Sequence, residues 1–264
     1  MPEGDIVRRT AARLDQALAG RPLTRAELRW PSAAAADLTG RTVVANVPYG
    51  KHLLTRLDDG RTLHTHLRME GRWSVERTGS RGAAGSGVSV RAILGNETWT
   101  VLGRDLGMLD VLATRDEHQV IGRLGPDLLA DDFPLSGLPE ALRRWADRGP
   151  QPVADVLLDQ RVVAGIGTIF MAESLFARRL WPWTPADEVP EPAHVLGVAR
   201  RLMQRSVAAP VPGSTGESSP GAQTLVHGRA GKPCRRCGSP ILVGEARPAP
   251  LTRPVFYCPR CQAP

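Results

Sequence analysis

Residues 153–176 read VADVLLDQRVVAGIGTIFMAESLF. Apolar side chains recur at helical spacing on both sides of this stretch, first at Val153, Val156 and Leu157, then at Ile169, Ala172 and Phe176. Between them, Ala164-Gly165-Ile166-Gly167 is too short for anything but a turn, so the stretch predicts a helix-turn-helix. Its most apolar part, Val162 to Phe176, still contains Glu173, and no run of 18 apolar residues occurs in the 264-residue chain. A membrane-spanning helix is therefore not expected.

Helical spacing continues upstream in Leu138, Leu142 and Trp145, ending at Gly149, and downstream in Val195, Val198 and Leu202. Pro210 to Gln223 follow, rich in Pro, Gly and Ser and without a pattern, a length of loop that is usually functional or disordered. At the other end, Val7, Ala11, Leu14 and Leu18 lie on one face of a helix over residues 5–19 that stops at Gly20. In between, the period changes to that of strands, at Thr42–Val47, His52–Leu57, Thr62–Leu67, Val88–Leu94 and Thr98–Leu102. Asp59-Gly60 and Gly95-Asn96 punctuate these runs as tight hairpins, while Gly79 to Gly87 reads as a flexible loop. This half predicts a β-sandwich or barrel, and the whole chain an α+β protein.

The 34 Lys and Arg against 27 Asp and Glu leave a net charge of +7, which points to a polyanionic partner. Resolved along the chain, residues 226–264 hold +6 of it, almost all as arginine, since Lys51 and Lys232 are the only lysines. Arginine is the better fork for phosphate oxygens. The same tail contains all four cysteines, in Cys234-x2-Cys237 and Cys258-x2-Cys261 separated by 20 residues. Two such knuckles supply the four soft ligands of one structural Zn2+. With no stray cysteine in a chain whose acidic start, Met-Pro-Glu-Gly-Asp, is unlike an export signal, the expected compartment is the cytoplasm and disulfides are not expected.

A helix-turn-helix followed by a basic zinc ribbon argues for DNA. Removal of Met1 would expose Pro2 as a secondary amine with a pKa of about 8, partly unprotonated and nucleophilic at neutral pH. Condensed with a sugar aldehyde carbon it forms an iminium, which acidifies the adjacent C–H, and Glu3 next door is placed to move protons.

The sequence resembles the formamidopyrimidine-DNA glycosylase/endonuclease VIII family in Met-Pro-Glu-Gly-Asp, Tyr49-Gly-Lys-His-Leu-Leu54, His66-Leu-Arg-Met-Glu-Gly-Arg-Trp73 and Leu158-Asp-Gln-Arg-Val-Val-Ala-Gly-Ile-Gly167. It does so again in Glu173-Ser-Leu-Phe176, in His227 to Gly238 and in Arg253-Pro-Val-Phe-Tyr-Cys258, in the family's order over nearly the whole chain. Gly50-Lys51 and Trp73 are more like the endonuclease VIII branch, in its actinobacterial form. The resemblance implies an N-terminal helix plus β-sandwich, a helical domain with a helix-two-turn-helix, and a zinc-finger hairpin that enters the DNA groove. The corresponding expected divisions are a catalytic region 1–120, a linker 121–135, a helical domain 136–225 and a zinc finger 226–264.

By the same resemblance, Pro2 is the nucleophile that forms the Schiff base at C1′, and Glu3 the group that protonates the sugar oxygen and later takes a proton. Lys51 matches a motif lysine associated with phosphate binding and β-elimination, and Arg253 a finger arginine associated with δ-elimination. Being charged at any reachable pH, Arg253 is read as a phosphate clamp. Met69 stands at the position that fills the hole left by an extruded nucleotide, with Arg104 and Leu106 read either as the rest of that wedge or, equally, as hairpin or core residues. Thr168 replaces the family's asparagine and is read as a helix cap that offers one hydroxyl to a phosphate. His64 and His66 share one strand face and, lacking a third ligand, read as structural.

The expected function is a monomeric, bifunctional DNA glycosylase/AP lyase, working on the nucleoid, that excises oxidised pyrimidines from damaged duplex or single-stranded DNA by β,δ-elimination. A competing expectation is a DNA-damage or DNA-end binding protein with weak or lost catalysis.

Overall fold

Val7, Ala11, Leu14 and Leu18 are all buried on one side of α1 (Gly4–Leu18), which is why this segment closes as a helix and where it faces the core. The computed structural model describes residues 2–264, which divide into two compact units after Arg123.

In the first unit α1 is followed by β1 (Arg25–Leu28), β2 (Val43–Tyr49), β3 (His52–Leu57), β4 (Arg61–His66), β5 (Arg72–Arg77), β6 (Val90–Gly95), β7 (Trp99–Arg104) and β8 (Met108–Ala113). They form two four-stranded antiparallel sheets, ordered β1-β6-β7-β5 and β2-β3-β4-β8. One core takes Leu53, Leu57, Leu63 and Leu109 from one sheet, Trp73, Ala92, Leu94 and Val101 from the other, and the apolar face of α1. That is a β-sandwich closed by a helix. The five strands expected from the sequence are β2, β3, β4, β6 and β7, with ends shifted by at most two residues. Asn96, almost fully buried, makes the β6–β7 turn: its carbonyl accepts the N–H groups of Thr98 and Trp99, and its amide donates to the Ala17 carbonyl at 2.8 Å, tying the hairpin to α1. A short helix, α2 (His118–Ile121), ends the unit.

The second unit holds α3 (Leu138–Ala146), α4 (Val153–Leu158), α5 (Thr168–Arg178) and α6 (Pro192–Ala208), then a hairpin of β9 (Leu242–Ala246) and β10 (Arg253–Tyr257). α4 and α5 are the predicted pair. Their turn is held by Gln160, which donates to the carbonyls of Leu158 (3.1 Å) and Ile166 (2.8 Å) and accepts from the N–H of Gly165, a residue at φ +111° where a side chain would be strained. Leu128, Leu129 and Phe133, from the stretch read as a linker, are buried in the core of this unit, as are Val226, Ile241, Val255 and Cys258 from the cysteine-bearing tail. The α+β class, the sandwich, the helix-turn-helix and the terminal hairpin are therefore present, and no helix is long and apolar enough to cross a membrane.

Candidate functional site

Pro2 is half-buried immediately before α1, and Glu3 is the N-cap of that helix with only 1 % of its surface exposed. The Glu3 carbonyl accepts the N–H groups of Ile6 (3.1 Å) and Val7 (3.2 Å), while its carboxylate does no capping. The packing of α1 onto the sandwich thus fixes the backbone of the first residues and holds a carboxylate beside the positive end of a helix.

Lys51 sits on the two-residue turn between β2 and β3, closed by the pair Tyr49 and His52. Gly50 there adopts φ +55°, which a side chain would resist, and this lets the chain reverse within two residues and lifts Lys51 to the tip. After β4 the chain turns through Leu67–Glu70, with Arg68 at φ +55° and the Gly71 N–H closing on the Leu67 carbonyl at 2.9 Å. Met69 projects from this turn 65 % exposed, an unusual state for methionine. The adjoining turn after Arg104 meets it: a Cβ on Gly107 would collide with the Arg68 side chain, and the Gly107 N–H bonds the His66 carbonyl. Arg104, half-buried, ends β7 beside this pair of turns. Leu106 does not join them at the surface: 97 % buried, it packs in the sandwich core over Gly103 and Trp73, because an apolar side chain with a core to enter leaves water.

The second unit carries the other expected residues. Thr168 is the first helical residue of α5 and is buried. The cap itself is Gly167, with no side chain to offer, so the reading of Thr168 as a cap is corrected. Arg253 opens β10, exposed, opposite Ala246, and its guanidinium donates to the Thr252 carbonyl at 2.9 Å. The hairpin beneath it is anchored by Trp183, whose indole N–H donates to the Glu245 carbonyl at 2.9 Å, and by Asp155, which accepts the Arg247 N–H at 2.8 Å. Next to these anchors, Arg236 lies 4.2 Å over the Phe176 ring, donates to the Phe176 carbonyl and holds the first knuckle to α5.

The four cysteine sulfurs all lie within 4.8 Å of one another. Cys237 and Cys258 are 3.4 Å apart and Cys234 and Cys261 4.0 Å, too long for disulfides at about 2.0 Å. A tetrahedron with metal–sulfur bonds of about 2.3 Å has edges of about 3.8 Å, so the donor set fits a four-thiolate metal site. In each knuckle a backbone N–H turns onto sulfur, from Arg236 to Cys234 and from Cys261 to Cys258. Hydrogen bonds from Ser239 lower the Cys237 thiol to about 6, while burial and the surrounding thiols push Cys261 up to about 12. A cation among them is what lets all four ionise together.

Two features were not legible in the sequence. Glu173, 1 % exposed on α5, accepts from the Ser214 hydroxyl (2.6 Å) and from the N–H groups of Leu225, Val226 (2.8 Å) and His227 (2.9 Å). It thereby grips both ends of the Pro210–Gln223 stretch, whose neck is closed by Thr215 donating to the Ala222 carbonyl at 2.7 Å. That stretch is thus a closed loop rather than an unstructured one. The second feature is His52, which brings a third imidazole to the face of His64 and His66. The sequence shows it only as a member of the Tyr49–Leu54 motif, since the register that pairs it with His66 is set by the β3–β4 turn.

Residues 1–103 match the formamidopyrimidine-DNA glycosylase N-terminal domain and residues 124–216 the formamidopyrimidine-DNA glycosylase H2TH domain. The chain is 43 % identical over its whole length to a protein of Streptomyces coelicolor named probable endonuclease 8 2, of which it covers 94 %. It is 36 % identical over 99 % of both chains to the DNA-(apurinic or apyrimidinic site) lyase Nei2 of Mycolicibacterium smegmatis. The fold matches that of Lactococcus lactis formamidopyrimidine-DNA glycosylase, solved non-covalently bound to DNA containing an AP site, with a TM-score of 0.79 at 20 % identity over 99 % of this chain and 100 % of that one. Two family domains in their proper order and full-length identity of this size establish that the chain belongs to the formamidopyrimidine-DNA glycosylase/endonuclease VIII family.

Proposed function

We propose that this protein is a bifunctional DNA glycosylase/AP lyase that removes oxidised pyrimidines and cuts the strand by successive β- and δ-elimination. The observation that carries the reading is the start of α1, where a secondary amine, once Met1 is removed, lies next to a carboxylate that is buried yet not used to cap its helix. Membership of the family supports it.

In this scheme the Pro2 nitrogen attacks C1′ and gives up its N–H proton as the C1′–base bond breaks and the base leaves with that electron pair; Glu3 protonates the sugar oxygen, the C1′–O4′ bond opens to a hydroxyl, and the nitrogen lone pair closes the C1′=N bond. The iminium so formed carries a fixed positive charge at nitrogen, which draws electrons from C2′–H. Loss of that proton expels the 3′ phosphate, and a second elimination expels the 5′ phosphate. Lys51, on its turn, supplies a cation to a phosphate flanking the lesion, and Arg253 a second from the terminal hairpin. Exposed Met69 enters the stack where the damaged nucleotide leaves, with Arg104 beside it and Leu106 supporting the turn from the core. Thr168 at the N-terminus of α5 replaces an amide by a shorter group, so contact with the flanking phosphate passes to backbone N–H groups.

Cys234, Cys237, Cys258 and Cys261 would hold one Zn2+, whose contribution is structural: it ties the two knuckles that carry the β9–β10 hairpin. The working form is a monomer on damaged duplex or single-stranded DNA.

Borohydride trapping tests the proposal. An oligonucleotide with an abasic site or an oxidised pyrimidine is expected to yield a covalent adduct with wild-type protein, and none with a variant that retains Met1 or whose Pro2→Gly terminus is extended by one residue. No adduct on either substrate, with tight binding retained, would replace the enzyme reading by that of a damage-binding protein.

A further inference from the structure

The imidazoles of His52, His64 and His66 form a cluster on β3 and β4, beside Lys51. His52 and His66 are register partners across the two strands, and His64 lies two residues before His66 on the same face. The His52 and His64 rings stack with centroids 5.0 Å apart, and His52 Nδ1 lies 2.8 Å from His64 Nε2, a hydrogen bond whose direction depends on which ring carries the proton there. His66 stands edge-on to His52 at 4.9 Å.

Burial fixes that direction. His64 is fully buried, and its Nδ1 has no hydrogen-bond partner. A proton on that nitrogen would be an orphaned buried N–H, whereas a bare lone pair there is the cheaper defect. The His64 proton is therefore on Nε2 and is donated to His52 Nδ1. A neutral His52 then carries its own proton on Nε2. His66 is set independently, because its Nδ1 accepts the Arg68 N–H at 2.9 Å, which again leaves the proton on Nε2. Neither outer Nε2 makes a hydrogen bond within the protein among the described residues, and neither belongs to the buried unpartnered atoms, so both reach solvent.

We propose that His64 is a positioning residue that locks His52 in the Nε2–H form, so that His52 serves beside Lys51 as an uncharged hydrogen-bond donor to a phosphodiester oxygen of the bound strand. This rests on the DNA-binding reading above and adds to it a residue that works without charge. Burial, and then the neighbouring imidazoles together with Arg68 and Lys51, keep His52 and His66 neutral far below physiological pH. A neutral donor has a distinct signature. It contributes affinity but releases no counterion, so its loss weakens binding without changing the salt dependence, whereas loss of a lysine reduces the slope of log K against log[salt] by about one.

The test uses the full chain and a duplex bearing the uncleavable abasic analogue tetrahydrofuran. In free protein, 15N–1H correlation of the imidazoles is expected to report the Nε2–H tautomer for all three rings; Nδ1–H at His52 would overturn the relay. His52→Phe is expected to weaken binding about fivefold with the salt slope unchanged, and Lys51→Ala to lower the slope by about one. His64→Leu should match His52→Phe, while His64→Gln, whose amide N–H can still donate to His52, should restore wild-type affinity. Unaltered affinity in His52→Phe, or a reduced slope, refutes the proposal. If wild type binds and is trapped by borohydride but His52→Phe is silent, only this inference fails. If wild type does not bind the duplex, both readings fail.

Discussion

Glu173→Gln changes a single oxygen inside the hydrogen-bond knot that holds the Pro210–Gln223 loop. The carboxylate serves four donors at once, the Ser214 hydroxyl and the N–H groups of Leu225, Val226 and His227, with Leu225 in reach of both oxygens. In the glutamine variant the remaining oxygen keeps Val226, His227 and the longer Leu225 contact. The new NH2 faces Ser214, whose hydroxyl also lies 3.2 Å from the Gln223 carbonyl and so can donate there and accept from the amide. No donor is fully stranded, but three backbone bonds fall from charge-assisted to neutral, at about 1 kcal/mol each. Relief of the carboxylate's dehydration returns part of this, which leaves a loss of about 2–3 kcal/mol. Glu173→Ala removes every acceptor and is expected to cost about 5 kcal/mol or more, with three buried N–H groups orphaned. Urea unfolding followed by tryptophan fluorescence measures the loss, and amide exchange at Leu225, Val226 and His227 locates it. A glutamine variant within about 0.5 kcal/mol of wild type, with protection at those amides intact, would refute the account of Glu173 as the grip on the loop.

Acid should destabilise the first unit through its histidines. Burial, followed by nearby like charges, depresses His52 to about 3 and His66 to about 4, so each must stay neutral in the folded state while the unfolded chain takes up protons from about pH 6.5. Their contribution is complete above pH 6.5 and declines as pH falls towards 4, by up to about 2 kcal/mol per ring at pH 5. Lys51 and Arg68 reinforce this, and Asp110 and Glu117 oppose it at His64. Urea midpoints at pH 7 and pH 5 should separate for wild type and by less for His52→Phe, which removes one ring's share; an equal gap in both would acquit His52. Metal removal should act on the other unit: purified protein is expected to contain one equivalent of zinc by atomic emission, and chelation or Cys258→Ser to release protection in residues 234–261 while the sandwich keeps its own. Purified protein without zinc, or knuckles that stay protected after chelation, would contradict the four-thiolate reading.

The aromatic and hydrogen-bonded anchors of the β9–β10 hairpin bear on how far chelation spreads. Trp183 packs so closely over Gly244 that a Cβ there would lie 2.5 Å from the indole, and Trp181 and Trp183 each meet Tyr257 edge-on at 5.1 Å. These contacts hold the hairpin to the helices independently of the thiols, so exchange is expected to rise first in the knuckles and later in β9 and β10.

Periodicity and local chemistry made much of this protein legible as sequence. The 3.6-residue spacing of Val7 to Leu18 and of Val153 to Phe176 determined α1, α4 and α5, and Gly165 with Gly167 determined the turn, because helices are closed by hydrogen bonds within their own segment. The paired cysteines declared a four-thiol site by spacing alone, and its sulfurs do converge. The chain's family was readable from motifs in order. What the sequence left open depends on partners distant along the chain. Short β1 pairs Arg25 with Gly95, and β5 and β8 exist through strands that are not their chain neighbours, so no local pattern announces them. Leu106 reads equally as wedge or core residue until the core that takes it in has been built around Gly103 and Trp73. Glu173 and His52 stand inside motifs that assign them no role, and only tertiary packing removes water from the Glu173 carboxylate and from His52 Nδ1 and leaves them the hydrogen-bond partners they have. That desolvation is the physical reason their roles were decided by the fold and could not be read from the residues alone.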